Sequence, residues 1–313
     1  MKLKTLESQA AGVLGREPVK YKKSKPLASR VADVCIWAIV LLMTLLCILP
    51  LLNMVSISFS DRIAAQANQV GLFPVNFNIS SYQMLLEDRQ FWRSFMISVE
   101  RVVIGTGLNM VLAVLMAYPL SKHKRDFGAR NIYMNLLIFA MLFSGGMIPT
   151  FLVVKNLGLL DTIWALILPG AVPIFNVILL MNFFKSIPNS LEEAAIMDGA
   201  SRFKILLKIY LPISLPALAT VGLFSIVGHW NDYFSGVLYM NRAANYPLQT
   251  YIQQLNIDVT KITDVSQLKA LASISNQTLN AAKIVVSTIP VLLIYPFLQK
   301  YFTTGLVIGS VKE

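Results

Sequence analysis

Apolar residues fall along this chain in six long runs, separated by polar segments of unequal length. A helix needs about 20 mostly apolar residues to cross the hydrocarbon core of a bilayer. By that length the runs predict spans near 31–55, 95–120, 132–154, 162–184, 213–238 and 284–302. The first run has no charge between Asp33 and Asp61, and Pro50 is expected to kink it. Arg101 falls near one interface of the second. Gly145, Gly146 and Pro149 interrupt the third, and Pro169 and Pro173 lie inside the fourth, so both are expected to bend or break. The predicted fold class is an all-α polytopic membrane protein with about six transmembrane helices.

Composition agrees. Of 313 residues 56% are hydrophobic and 14% charged, where a soluble domain averages about 25% charged. The net charge of +11 would suggest nucleic acid in a soluble chain. Here the Lys and Arg concentrate before residue 31, in 121–130, in 185–208 and at the C-terminal end, and are sparser in the alternate loops. That bias places both termini in the cytoplasm, and it makes the lipid bilayer, with no nucleic acid, the expected partner of the basic residues. Residues 1–30 read as a basic, disordered cytoplasmic tail, and 31–313 as one transmembrane domain. The polar start and the length of the first run exclude a cleavable signal peptide. Cys35 and Cys47 stand twelve residues apart in one helical run, too far for a disulfide. Two histidines and no Cys/His cluster make a metal site unexpected. No G-x-x-x-x-G-K-[ST] loop is present, so the chain carries no nucleotide site of that kind.

The segment 188–212 is polar and helix-forming between two apolar runs. Ser190-Leu191-Glu192-Glu193 has the S-x-x-E form of a capping box. Asp198-Gly199 is expected to stop that first helix, since glycine takes the left-handed conformation cheaply. Ser201 is expected to cap a second, over 202–210, which Leu211-Pro212 would end. Ala194, Ala195, Gly199 and Ala200 leave room for another backbone to come close.

Glu193-Ala194-Ala195, Gly199, Ile209 and Leu211-Pro212 together form the pattern EAA-x3-G-x9-I-x-LP. This resembles the signature of permease subunits of bacterial binding-protein-dependent ABC importers. The stretches 143–170, 228–234 (GHWNDYF), 246–249 and 295–313 look like the carbohydrate-uptake branch, the MalG/LplC-like subgroup. The resemblance covers residues from about 30 onward. It implies a type I importer permease fold with a MetI-like core, in the bacterial cytoplasmic membrane, and a subunit that is not itself an enzyme. It also implies a second homologous permease subunit, two cytoplasmic ATPase subunits that bind the ATP and Mg, and an extracytoplasmic solute-binding protein that delivers a sugar. No cofactor is expected on this chain. Carried onto the motif, the ATPase-coupling residues would be Glu192, Glu193, Ala194, Ala195, Asp198, Gly199, Ala200, Arg202 and Lys204, with Glu193 making the charged contact.

Polar groups within a membrane usually face the bundle interior or a wet cavity. Trp230, Asn231, Asp232, Tyr233 and Asn176 are therefore candidates to line a translocation cavity. Interfacial anchoring is the competing account of the aromatic pair, and helix–helix contact that of Asn176. The rival functional classes are an ATPase-independent secondary transporter, which would carry charged relays and an inverted repeat, and a structural membrane protein. Neither feature of the secondary transporter is visible in the sequence.

Overall fold

A computed structural model describes residues 27–255 and 277–310, and its regular elements are all helical. Most of the basic tail, the polar stretch 256–276 and residues 311–313 lie outside the described residues. The chain divides into two units, Met1–Leu52 and Asn53–Glu313.

Helix α1 (Leu27–Ser58) supplies the described part of the first unit. Pro50 lies inside it and the helix runs on past it. Trp37, Leu41 and Leu46 are exposed, as are apolar residues on its other faces. A helix that is apolar all round is suited to lipid, where its backbone groups bond within the helix.

In the second unit the short helices α2 (Arg62–Gln66) and α3 (Ser80–Glu87) precede α4 (Arg89–Ser121). Asp88 caps α4 by accepting from Phe91 N at 3.0 Å. The helix therefore starts two turns before the apolar run. Its 33 residues reach about 50 Å. Small residues on its inner face, Gly105, Ala113 and Ala117, allow neighbours to approach closely.

The third run is broken. α5 (Arg130–Leu142) and α6 (Met147–Asn156) meet at 112°, and Gly146 carries the turn at φ +90°. The fourth breaks at its prolines. α7 (Ile163–Ile167) and the 3₁₀ turn Leu168–Gly170 meet α8 (Ile174–Ser186) at 49°. Next come α9 (Asn189–Met197), α10 (Arg202–Ile213) and α11 (Leu215–Asn231), with α10 and α11 bent by 83°. α12 (Phe234–Tyr239), α13 (Leu248–Leu255) and α14 (Gln277–Ser310) complete the described residues. Among the described residues three helices are long and apolar enough to cross a membrane, and up to six spans result if each bent pair counts as one.

The expected fifth span, 213–238, needs correction. Its helix ends at Asn231, because Asp232 turns to an extended conformation and its carboxylate caps α12 through Ser235 N at 3.1 Å.

Two apolar clusters position the site. Ala113, Ala117 and Tyr118 of α4 pack with Val177, Leu180 and Phe184 of α8, Val221 of α11, and Ile205 and Tyr210 of α10. Nearer the start of α4, Phe91 packs with Trp230, Leu248, Ile252 and Ala282. α4 is thus the strut against which α8, α10 and α11 are set.

Candidate functional site

The segment 188–212 folds as two short helices and a tight turn. α9 begins at Asn189, with Pro188 preceding it at φ −57°. Proline fixes that entry, so the helix starts before Ser190, and the expected capping box is absent: no side chain caps this end. Gly199 stands at φ +75°, and its N–H and that of Ala200 return to Ile196 O and Ala195 O, each at 2.9 Å. This is the glycine-terminated helix end expected from the sequence. Ser201 Oγ then accepts from Lys204 N at 3.3 Å, opening α10. The first four residues are α-helical, Leu206–Tyr210 form a wider π turn, and Leu211–Ile213 complete it. The helix therefore passes Pro212 and stops at Ser214, three residues later than expected. Proline in the first turn of a helical piece loses no bond, so Leu211-Pro212 does not end it.

Glu193, Ala194, Asp198, Gly199, Arg202 and Lys204 are exposed, and Ala195 and Ala200 are half-buried against the core. Met197 is 87% and Phe203 61% exposed on the same loop. Small residues, flanking apolar side chains and open charges thus share one surface.

Glu192 points the other way. It is buried, and its Oε2 accepts from Lys122 Nζ at 2.6 Å and from Tyr210 OH at 2.7 Å. Oε1 accepts from Arg202 at 2.7 Å. Lys122 Nζ lies 4.2 Å and 4.0 Å from the ring centres of Tyr118 and Tyr210, in cation–π range of an edge-on ring pair. Burial works to raise the Glu192 carboxyl, but the bonds from Lys122 and Tyr210 and the charges of Lys122 and Arg202 outweigh it and hold it below the ordinary value of 4.5. Burial draws the Lys122 ammonium below its ordinary value despite the carboxylate beside it. A carboxyl depressed on folding stabilises fully above its ordinary value, and that contribution is lost as pH falls through the depressed one. The thermal midpoint of the detergent-solubilised protein should therefore fall below pH 4.5, and Glu192→Gln should make that acid limb shallower.

The second feature is a cavity of about 290 Å³ between α4, the α7–α8 turn and α11. Arg101, Asn109, Asn176, His229 and Asp232 line it. Arg101, expected near an interface, is 2% exposed because α4 starts earlier than the apolar run implied. Its Nη1 donates to Asp232 O at 2.9 Å, and its Nη2 donates to Leu166 O at 3.1 Å and to Asp232 Oδ2 at 2.5 Å. Its Nε has no partner. Asn109 stands 3.2 Å from His229 Nε2, and with its amide nitrogen toward Ala171 O and Gly105 O both ends are satisfied. Asn176 donates to Ser225 Oγ at 3.2 Å. A Cβ on Gly105 would stand 2.6 Å from the His229 ring, so this approach requires glycine.

Of the cavity candidates, Asn176 and Asp232 line this space, while Trp230, Asn231 and Tyr233 do not. Trp230 is buried, donating to Ser287 O at 3.1 Å and packing edge-on against Phe95. Asn231 and Tyr233 are exposed. Arg101, Asn109, His229 and Lys122 were not among the expected site residues. A lone arginine inside an apolar run was the available signal for the first. Among the described residues no group of His, Cys, Asp and Glu is placed to hold a metal.

Broken spans around a central strut, a polar cavity within the bundle and a two-helix loop at its end define a helical membrane transport component. Residues 109–308 match the family described as binding-protein-dependent transport system inner membrane component, and the chain belongs to that family. It is a transport subunit, not an enzyme. It is 45% identical over 287 residues to the polygalacturonan/rhamnogalacturonan transport system permease protein YtcP of Bacillus subtilis (strain 168), covering 91% of this chain and 100% of the relative. Protein LplC of the same organism is 43% identical over 287 residues, with 91% and 96% covered. Among solved structures, a chain of a bacterial ABC transporter involved in the import of the acidic polysaccharide alginate superposes with a TM-score of 0.82 at 34% identity, covering 90% of this chain and 100% of that one.

Proposed function

We propose that this chain is the membrane-spanning subunit of an ATP-driven importer of acidic oligosaccharides, with both termini in the cytoplasm. It would pair with a second, homologous permease subunit. An extracytoplasmic binding protein would deliver the sugar, and two separate ATPase subunits, carrying the ATP and Mg, would dock on the loop 188–212. The observation that carries this reading is the loop itself. The complete motif is folded as two helices about Gly199, with Glu193, Ala194, Asp198, Gly199 and Lys204 exposed. Glu192, Ala195, Ala200 and Arg202 support it from behind or beside. The acidic sugar class rests on relatives named for polygalacturonan/rhamnogalacturonan and for alginate.

The chemistry follows from this arrangement. ATP closes the ATPase pair, which draws the docked loops together, and the spans change from inward- to outward-facing. ATP binding shifts that equilibrium only by its preference for the closed state. Sugar released from the binding protein would meet the cavity lined by Asn176, Asp232, Asn109 and His229, whose amide and imidazole groups suit hydroxyl recognition. Trp230 would support this wall from its packed position, with Asn231 and Tyr233 toward the outer mouth.

Gly199→Val tests the docking. No atom lies within 4 Å of a Cβ at this position, so the strain comes from the positive φ alone, about 1–2 kcal/mol for an L-residue. The expected result is a chain that still inserts but loses ATPase co-purification and ATP-driven uptake of oligogalacturonide in vesicles. Wild-type behaviour in both assays sinks the docking role.

A further inference from the structure

The motif directs attention to Glu193, which faces outward. The carboxylate with built surroundings is the one before it. Glu192 touches three groups on two elements: Lys122 at the end of α4, and Arg202 and Tyr210 at the start and the π turn of α10. It sits on α9 itself. Tyr118 of α4 completes the knot, standing edge-on to Tyr210 at 5.0 Å and closing one side of the Lys122 ammonium. One carboxylate thus fastens both helices of the loop to the strut of the bundle.

We propose that Glu192 is a positioning residue that latches α9 and α10 to the C-terminal end of α4, so that loop and strut move as one body during the transport cycle. The argument is geometric. Apolar contacts of α10 with α4 would hold the loop near the bundle but would let it slide, since such contacts are non-directional. A buried carboxylate bonded on both oxygens fixes distance and orientation together. The lysine it engages caps the helix that carries Tyr118 and lies against the rings of both Tyr118 and Tyr210, so it belongs to the strut and not to the loop. The wide turn at Leu206–Tyr210 belongs to the same device. It sets Tyr210 where its hydroxyl reaches Glu192 and its ring reaches Phe184 of α8. Arg202 closes the knot from the exposed side, 58% open to solvent. Glu193 is thereby left free for a partner, while its neighbour carries the displacement inward. This division of labour between adjacent carboxylates rests on the docking reading above.

The test uses the full complex in nanodiscs. Cys35→Ala and Cys47→Ala remove the native thiols. Leu191→Cys and Leu115→Cys then place spin labels on exposed positions of α9 and α4, away from the docking surface around Met197. Distances are measured without nucleotide and with ATP trapped by vanadate. The latch predicts one separation in both states for the otherwise wild-type chain. It predicts a shift on the order of one helical pitch, ~5 Å, or a second population, on trapping in Glu192→Gln, with ATPase still co-purifying. A change of separation in the otherwise wild-type chain overturns the latch, as does an unchanged separation in Glu192→Gln. If that variant fails to assemble, Tyr210→Phe, which removes one hydroxyl and keeps the ring, is read the same way. A wild-type chain that retains no ATPase overturns the docking reading and the transmission role with it. Retained ATPase with an unaltered Glu192→Gln overturns the latch alone.

Discussion

Replacing Asp232 with Ala should be among the most damaging single changes to this protein. It strands the Arg101 guanidinium, 2% exposed, beside a cavity. Breaking a buried ion pair from one side costs about 3–5 kcal/mol. The Asp232 side chain is 30% exposed, so about 2–3 kcal/mol is the expected loss after allowance for screening. The same change removes the cap on α12, since Asp232 also accepts from Ser235 N and Ser235 Oγ. Asp232→Asn keeps the hydrogen-bonding outline and should cost less. The double variant Arg101→Met, Asp232→Asn should recover stability relative to Asp232→Ala, because it removes the buried charge as well as its partner. Thermal unfolding of the detergent-solubilised protein across these variants measures the coupling. If Asp232→Ala unfolds at the wild-type temperature, the pair contributes nothing to the fold.

The second large effect is expected at Gly236. A methyl group there would collide with Thr250 Oγ1, stand 2.9 Å from Thr250 Cβ, and stand 3.0 Å from Pro247 Cδ. Thr250 cannot withdraw easily. It is fully buried and its hydroxyl donates to Tyr233 O at 2.8 Å. Overpacking of a closed contact costs about 1–3 kcal/mol. Gly236→Ala should therefore separate α12 from the start of α13 and lower the yield of folded protein. Thr250→Gly introduced with it should restore much of that yield by removing both Thr250 atoms in the way. Limited proteolysis near 240–247 reports the separation directly, and an uncut double variant with a cut single variant is the expected pattern.

Signals that act locally are legible in the sequence. Gly199 and Ser201 sit where a turn and a cap belong, and both do so in the structure. The six apolar runs were also visible, since bilayer thickness sets their length. Two kinds of information were hidden. The run 213–238 carries Asn231, Asp232, Ser235 and Gly236 near its end, but the contacts that break its helix, from the Asp232 carboxylate to Ser235 and to Arg101 in another span, are not written in the run itself. Likewise Lys122 and Glu192 are 70 residues apart, and nothing near either one predicts the other. Ser190 failed for a different reason. A proline two residues earlier had already set the entry of the helix, so the capping box had no open end to close.

The bend at Ser214 has a mechanical meaning. α10 and α11 meet at 83° and are joined by a single residue whose N–H returns to Tyr210 O and Leu211 O, so the joint is short and bonded across. Two stiff rods joined at a right angle make a bell crank. A push along the plane in which one rod lies becomes a tilt of the other. Any displacement of the twelve-residue arm α10 (Arg202–Ile213), about 18 Å long, would thereby be converted into rotation of α11. That helix carries His229 near its far end, with Asp232 immediately beyond, so the cavity lies at the output of the crank.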